Sequence, residues 1–144
     1  MLTGDPAYRH HIIYQDDAAV VFLSKYPTLP GYTLVAPRRH REQVAGDFSA
    51  DEYLALQHLI YRVAEALRRA VPAERIYIAS LGSQQGNSHV HWHIVALPPG
   101  VPFAEQQFEA MRLDRGVLTL DETQMAVLAE AIRSALLVEH SVLK

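Results

Sequence analysis

His89, His91 and His93 alternate with Val90, Trp92 and Ile94 in the run H-V-H-W-H-I. Successive side chains of an extended strand point to opposite faces, so this spacing sets three imidazoles on one face and three apolar side chains on the other. With 8 histidines in 144 residues, an H-x-H-x-H pattern is expected by chance on the order of 0.02 times per chain. The triplet is internal, which separates it from a purification tag.

Three kinds of chemistry compete for such a face. It could be a solvated polar edge, although Thr, Lys or Glu would serve that purpose as well. It could bind zinc or iron, which imidazole suits. Alternate Cα atoms lie about 6.6 Å apart on a strand, however, so three rings on one ion would be strained and a further ligand would have to come from elsewhere, His40 being the candidate. The third reading, favoured here, is nucleophilic attack at phosphorus. A neutral imidazole held in one tautomer by a backbone carbonyl on Nδ1 presents the lone pair of Nε2 outward. His91, the middle residue, is best placed to attack, and the preceding loop Gly82 to Ser88 (G-S-Q-Q-G-N-S) offers amide, hydroxyl and backbone donors to developing charge.

These side chains need a scaffold, and the flanking sequence predicts one. His11 to Tyr14, Ala18 to Ser24 and Gly31 to Ala36 read as three strands, with Pro27, Pro30 and Gly31 shaping the second connection and Pro37 ending the third strand. Ser49 and Glu52 fit a capping box at the start of a helix that buries Tyr53, Leu56, Leu59, Ile60, Val63 and Leu67 and stops at Pro72. Arg75 to Leu81 predicts a fourth strand and His89 to Ala96 a fifth, forming a meander with one helical crossover. Phe103 to Leu113 predicts one short helix. A second long helix follows from Leu120, capped by Asp121, with Met125, Leu128, Ile132 and Leu136 inward. The expected architecture is α+β, a five-stranded antiparallel sheet with one long crossover helix and C-terminal helices, in a single domain over residues 1–144.

Composition limits the functions available. The formal charge of -3 argues against a general nucleic-acid-binding surface but leaves room for a local basic pocket, for which Arg38, Arg39, His40 and Arg41 are candidates. The lack of cysteine removes disulfides, thiolate metal sites and a cysteine nucleophile. No run approaches the roughly 20 apolar residues of a membrane span, and the N-terminus lacks the features of a secretory signal. A soluble, cytoplasmic protein without membrane partners is expected.

The motif H-V-H-W-H-I-V, together with the upstream stretch I-I-Y-Q-D-D-A-A-V-V-F-L-S-K-Y-P-T-L-P-G-Y-T-L-V-A-P-R-R-H, resembles the histidine-triad (HIT) family over roughly residues 10 to 100. The resemblance implies a homodimeric HIT-like fold that binds a purine nucleotide or dinucleotide. It also implies cleavage at an α-phosphate through a covalent nucleotidyl-histidine, with no cofactor or metal required. Carried over by position, His91 is the nucleophile, while His89 and His93 support the pocket and His93 assists protonation of the leaving group. Gln85 matches a family glutamine near the scissile phosphate, Asn87 and Ser88 lie on the same loop and are taken with it as substrate-binding, Phe22 and Leu23 correspond to base-contacting positions, and Ser24 stands at the ribose position. The chain departs from the family at Ser24, where an acidic residue is frequent, and at Tyr32, where histidine is common. The implied activity is a hydrolase or nucleotidyltransferase acting on dinucleoside polyphosphates or nucleoside phosphoramidates. The alternative is a regulatory or scaffold protein that binds nucleotide with little catalysis.

Overall fold

Asp16 closes the first hairpin. Its Oδ1 accepts from the backbone N–H groups of Ala18 and Ala19, both at 2.8 Å, and Tyr14 donates its phenol to Oδ2 at 2.8 Å. A side chain that satisfies turn amides in this way reverses the chain without a glycine. The strands it joins are β1 (Ile12–Gln15) and β2 (Ala19–Leu23). The computed structural model describes residues 11–82 and 88–142, with side chains to residue 138.

From β2 the chain reaches β3 (Thr33–Pro37) past Gly31, whose φ is +76°. A Cβ there would sit 2.9 Å from Leu67 Cδ1, so this position needs glycine for both its left-handed backbone and its close approach to the helix above. That helix is α1 (Ala50–Ala70). Its capping box forms as the sequence predicts: Glu52 N–H donates to Ser49 Oγ at 3.1 Å, and Ser49 N–H donates to Glu52 Oε1 at 3.0 Å. The predicted stripe is inside, with Leu56, Leu59, Ile60, Val63 and Leu67 buried and Tyr53 packed against them. Val71 caps the end, and Pro72 keeps the helix from continuing.

The remaining strands are β4 (Arg75–Ala79) and β5 (Trp92–Leu97), completing an antiparallel sheet of order β1-β2-β3-β5-β4. The expected helical crossover is present, but the strand order is not that of a meander. α1 carries the chain beyond the position next to β3, so β4 forms the outer edge and β5 returns into the gap. β5 also starts three residues later than predicted. Only Thr33, Leu34 and Val35 of β3 pair with it, because Pro37 has no N–H with which to extend the ladder. Instead, Val90 N–H donates to the carbonyl of Arg41 at 2.7 Å, which holds the approach to β5 in place.

The expected single helix over Phe103–Leu113 is broken. The chain forms a 3-10 turn at Phe103–Glu105, a short α2 (Phe108–Met111) and another 3-10 turn at Leu113–Arg115. The interruption is at Gln107, whose φ of 58° cannot belong to a right-handed helix, and whose N–H donates to the Tyr77 phenol at 3.1 Å. α3 (Glu122–Val142) then packs on α1, β1 and β2. Asp121 Oδ1 accepts from Gln124 N–H at 2.7 Å at its start, and Met125, Ile132 and Leu136 are buried, with Leu128 partly so. The helices cover one face of the sheet over a core that includes Val21, Leu23, Val35, Trp92 and Ile94. The other face carries the histidines.

Candidate active site

The alternation that raised the question holds in three dimensions. Val90, Trp92 and Ile94 are 1%, 4% and 0% exposed in the helix-side core, while His89, His91 and His93 are half-buried on the opposite side. The apolar residues anchor the segment, and the period of two leaves the imidazoles no other face. His91 is further fixed through its backbone, whose carbonyl accepts from Ser80 Oγ at 2.8 Å.

Hydrogen bonds assign the tautomers of the first two rings. His91 Nδ1 lies 3.0 Å from the carbonyl of His89. A carbonyl only accepts, so Nδ1 carries the proton and Nε2 of the neutral ring keeps its lone pair. His89 has the opposite arrangement. Its Nε2 lies 2.8 Å from the carbonyl of Pro37 and must donate, leaving Nδ1 to accept the Arg41 N–H across a long 3.4 Å. Burial, with a smaller contribution from His40, lowers the pKa of His89 despite the opposing Pro37 bond. This agrees with a ring whose two nitrogens face one acceptor and one donor. His40 stacks on it, with ring centroids 5.2 Å apart and planes inclined by 24°.

His93 lies opposite Leu34 in the β3–β5 register, and Leu34 lies opposite Phe22 in the β2–β3 register. These three therefore share a row on the histidine face. Its ring is 4.9 Å from that of His91 between centroids, and its Nδ1 is 2.6 Å from the Tyr32 hydroxyl. Burial, followed by the charge of His91, pushes the His93 pKa down to about 4. Burial also pushes the Tyr32 phenol up to about 12.

The residues predicted to bind substrate separate into distinct groups. Phe22 is 7% exposed and belongs to a small apolar cluster with Val20 and Ala36, flanked by Ile12 and Leu34. Leu23 is 2% exposed in the core under the helices; one step along a strand reverses the side chain, so it does not share the face of Phe22 and the histidines. Its side chain is therefore on the helix side of the sheet, away from the histidines. Ser24 is half-buried beside Tyr32, its N–H donating to the Tyr32 carbonyl at 2.8 Å and its Oγ accepting from Tyr26 N–H at 3.2 Å. Ser88 is half-buried immediately before the triplet, while Gln85 and Asn87 lie outside the described residues.

The basic cluster does not act as one surface. Arg38 donates to Gln15 Oε1 at 3.1 Å, whereas Arg41 bonds to the Asp47 carbonyl and the Glu52 carboxylate and lies over the Phe48 ring at 4.6 Å. Neither the Pro37 carbonyl, the Arg41 amide nor Ser80 was marked as part of the site by its residue type. Each acts through position, two of them through the backbone alone. The P-R-R-H ending was the nearest signal.

A family model of the HIT domain matches residues 6–99. The chain belongs to the HIT family. An HIT-like protein of Saccharolobus solfataricus is 36% identical over 88 residues, a match covering 59% of this chain and 63% of that relative's length, so the chain spans less than two thirds of it. Among solved structures, a hypothetical histidine-triad nucleotide-binding protein of Sulfolobus tokodaii superposes with a TM-score of 0.73 at 23% identity, covering 92% of this chain and 87% of that one. A zinc-bound histidine-triad protein of Mycobacterium smegmatis gives a TM-score of 0.71 at 22% identity, with 93% and 88% covered. These structural likenesses establish the HIT fold.

Among the described residues, no group of three or more His, Cys, Asp or Glu is arranged to bind a metal ion. Both ring nitrogens of His89 are engaged, as is Nδ1 of His91 and of His93. Two Nε2 atoms remain for other chemistry.

Proposed function

We propose that this HIT protein cleaves a dinucleoside polyphosphate or nucleoside phosphoramidate at the α-phosphate, as a hydrolase or nucleotidyltransferase, with His91 as nucleophile. The observation that carries the proposal is the His91 Nδ1 bond to the His89 carbonyl, which leaves the lone pair of the neutral ring on Nε2, on the histidine face. In the first step Nε2 forms a bond to the α-phosphorus, and the bond from phosphorus to the leaving oxygen or nitrogen breaks, its electron pair leaving with that group. In the second, water or another acceptor attacks phosphorus and the nitrogen–phosphorus bond breaks, returning the ring to its starting state.

The other roles follow from placement. His89 fixes the entrance to the triplet through Pro37 and Arg41, and His93 lies beside the reacting nitrogen. Phe22 supplies an apolar wall on the same face for a purine base, with Ser24 nearby for ribose. Gln85, Asn87 and Ser88 are assigned to the phosphate, the first two by sequence position alone. No metal or cofactor takes part in these steps.

The proposed assembly is a cytoplasmic homodimer. β4 is an edge strand of sequence R-I-Y-I-A, with Ile78 48% exposed and Leu81 just beyond it 51% exposed. Such an edge invites a second copy to extend the sheet. The absence of cysteine is compatible with a reducing compartment.

Incubation with a panel of diadenosine polyphosphates and adenosine phosphoramidates, followed by chromatography, tests the activity. Release of nucleoside monophosphate by wild type and not by His91→Ala is expected. Nucleotide binding by both proteins, with no product from any compound, would instead favour the regulatory or scaffold alternative.

A further inference from the structure

Tyr32 stands where the family commonly has histidine, and it touches the third member of the triad rather than the first two. Its hydroxyl and His93 Nδ1 are 2.6 Å apart, the rings meet edge to face at 83°, and Tyr32 is 6% exposed. Two proton arrangements fit that distance. If His93 Nδ1 carried the proton and donated to the phenol oxygen, the phenol O–H would need an acceptor of its own. Among the described residues its hydroxyl has only His93 as a partner, so within them this arrangement leaves the buried phenol donor without an acceptor, a cost of about 1–3 kcal/mol. The reverse arrangement satisfies both groups: the phenol O–H donates to Nδ1, and the ring proton is on Nε2.

We infer that Tyr32 is a positioning residue that holds His93 as a neutral Nε2–H hydrogen-bond donor, opposite in tautomer to His91. The two neighbouring rings then divide the work. His91 presents a lone pair that attacks phosphorus, and His93 presents an N–H that stabilises negative charge on a phosphate oxygen in the transition state. This catalytic consequence rests on the nucleophilic role proposed for His91; the tautomer itself does not.

A neutral donor of this kind does not serve as the proton source. Transfer of its Nε2 proton would leave an imidazolate, or would pull the phenol proton onto Nδ1 and leave a buried tyrosinate. An imidazolate is a second ionisation far above the neutral range, and burial pushes the Tyr32 phenol up to about 12, which opposes the tyrosinate. The leaving group therefore takes its proton from solvent, and His93 keeps its own throughout. This departs from the proton-donating role that family resemblance gives His93. A histidine in place of Tyr32 could donate or accept through either nitrogen and could titrate near neutrality, whereas the phenol has a single hydrogen and stays neutral.

Long-range proton–nitrogen correlation spectra of isotope-labelled histidines in the wild-type protein read the tautomers directly and require no substrate. The expected spectrum has His93 protonated on Nε2 with a bare, hydrogen-bonded Nδ1, and His91 protonated on Nδ1. A His93 proton on Nδ1 would overturn the inference. Steady-state kinetics then test its consequence. Tyr32→Phe is expected to lower kcat by about tenfold with KM changed less than about twofold. Tyr32→His, which regains a donor, is expected to recover most of the loss near pH ~8 and to lose it again as the new imidazole protonates. An unchanged kcat in Tyr32→Phe, or a loss that Tyr32→His does not recover at any pH, would overturn the positioning role. Because the wild-type spectrum is independent of turnover, failure to find a substrate would count against the proposed function alone.

Discussion

His91 Nδ1 and the backbone carbonyl of His89 are 3.0 Å apart, a contact between residues two apart that puts the proton of the neutral ring on Nδ1 and leaves the lone pair on Nε2. The bond is available because His89 and His91 precede the regular part of β5, where their backbone groups are not committed to a strand ladder.

Replacing His91 by alanine is expected to lower kcat by at least about 10³-fold while nucleotide Kd changes by less than about threefold, as expected for loss of a covalent step without loss of the pocket. Single-turnover kinetics and calorimetric titration with a nucleoside monophosphate would check this. Parallel loss of binding and of the thermal transition would give His91 a structural role.

His89→Ala should affect the fold and the chemistry together. The Pro37 carbonyl and Arg41 amide would each lose a part-buried partner, and a destabilisation of about 1–3 kcal/mol is expected. Urea denaturation measures it. A stability equal to wild type would mean that water replaces the ring at no cost.

The His93 pKa gives a signed prediction. Its ordinary value is 6.5 and its folded value about 4, so between these limits the unfolded chain binds a proton that the folded chain does not. The stability contributed by neutral His93 is fully present above about pH 6.5 and falls as pH drops toward about 4, by about 2 kcal/mol after allowance for partial solvent exposure. Denaturation curves at several pH values should show this loss in wild type and a smaller one in His93→Asn. Equal slopes would place the proton elsewhere.

Gly31→Ala is expected to cost about 2 kcal/mol, because alanine resists the positive φ and its Cβ would press on Leu67 Cδ1 at 2.9 Å. The displacement would reach the adjacent Tyr32, so kcat should fall as well. Thermal denaturation and kinetics on the same preparation would detect both effects.

At the sheet edge, Ile78→Lys should shift a homodimer toward monomer by placing a charge on the exposed face of β4. Sedimentation velocity across a dilution series would show the change. A wild-type protein that is already monomeric would contradict the proposed assembly.

Much of this fold was legible because it rests on local rules. The Ser49–Glu52 capping box, the α1 stripe, Asp121 at the start of α3 and the alternation around Trp92 each depend on residues a few positions apart. Strand order did not follow from such rules, since β5 lies between β3 and β4 through pairings across the molecule. The break at Gln107 depends on Tyr77, some thirty positions away, which no helical period reports. At the site, side-chain chemistry marked the three histidines, and Tyr32 stood out as a departure from the family. Its contact with His93 required the β3–β5 register. Leu23, matched by resemblance, shows how strand alternation sends neighbouring side chains to opposite faces: its side chain lies in the core under the helices, and that of Phe22 on the histidine side.

The most direct test of His91 as nucleophile is intact-mass measurement during turnover of a diadenosine polyphosphate, quenched in alkaline denaturant to preserve a nitrogen–phosphorus bond. The expected result is a transient gain of one nucleotidyl group on wild type, mapped to His91 by peptide fragmentation and absent from His91→Ala. Product formation without that adduct, or an adduct that persists in His91→Ala, would contradict it.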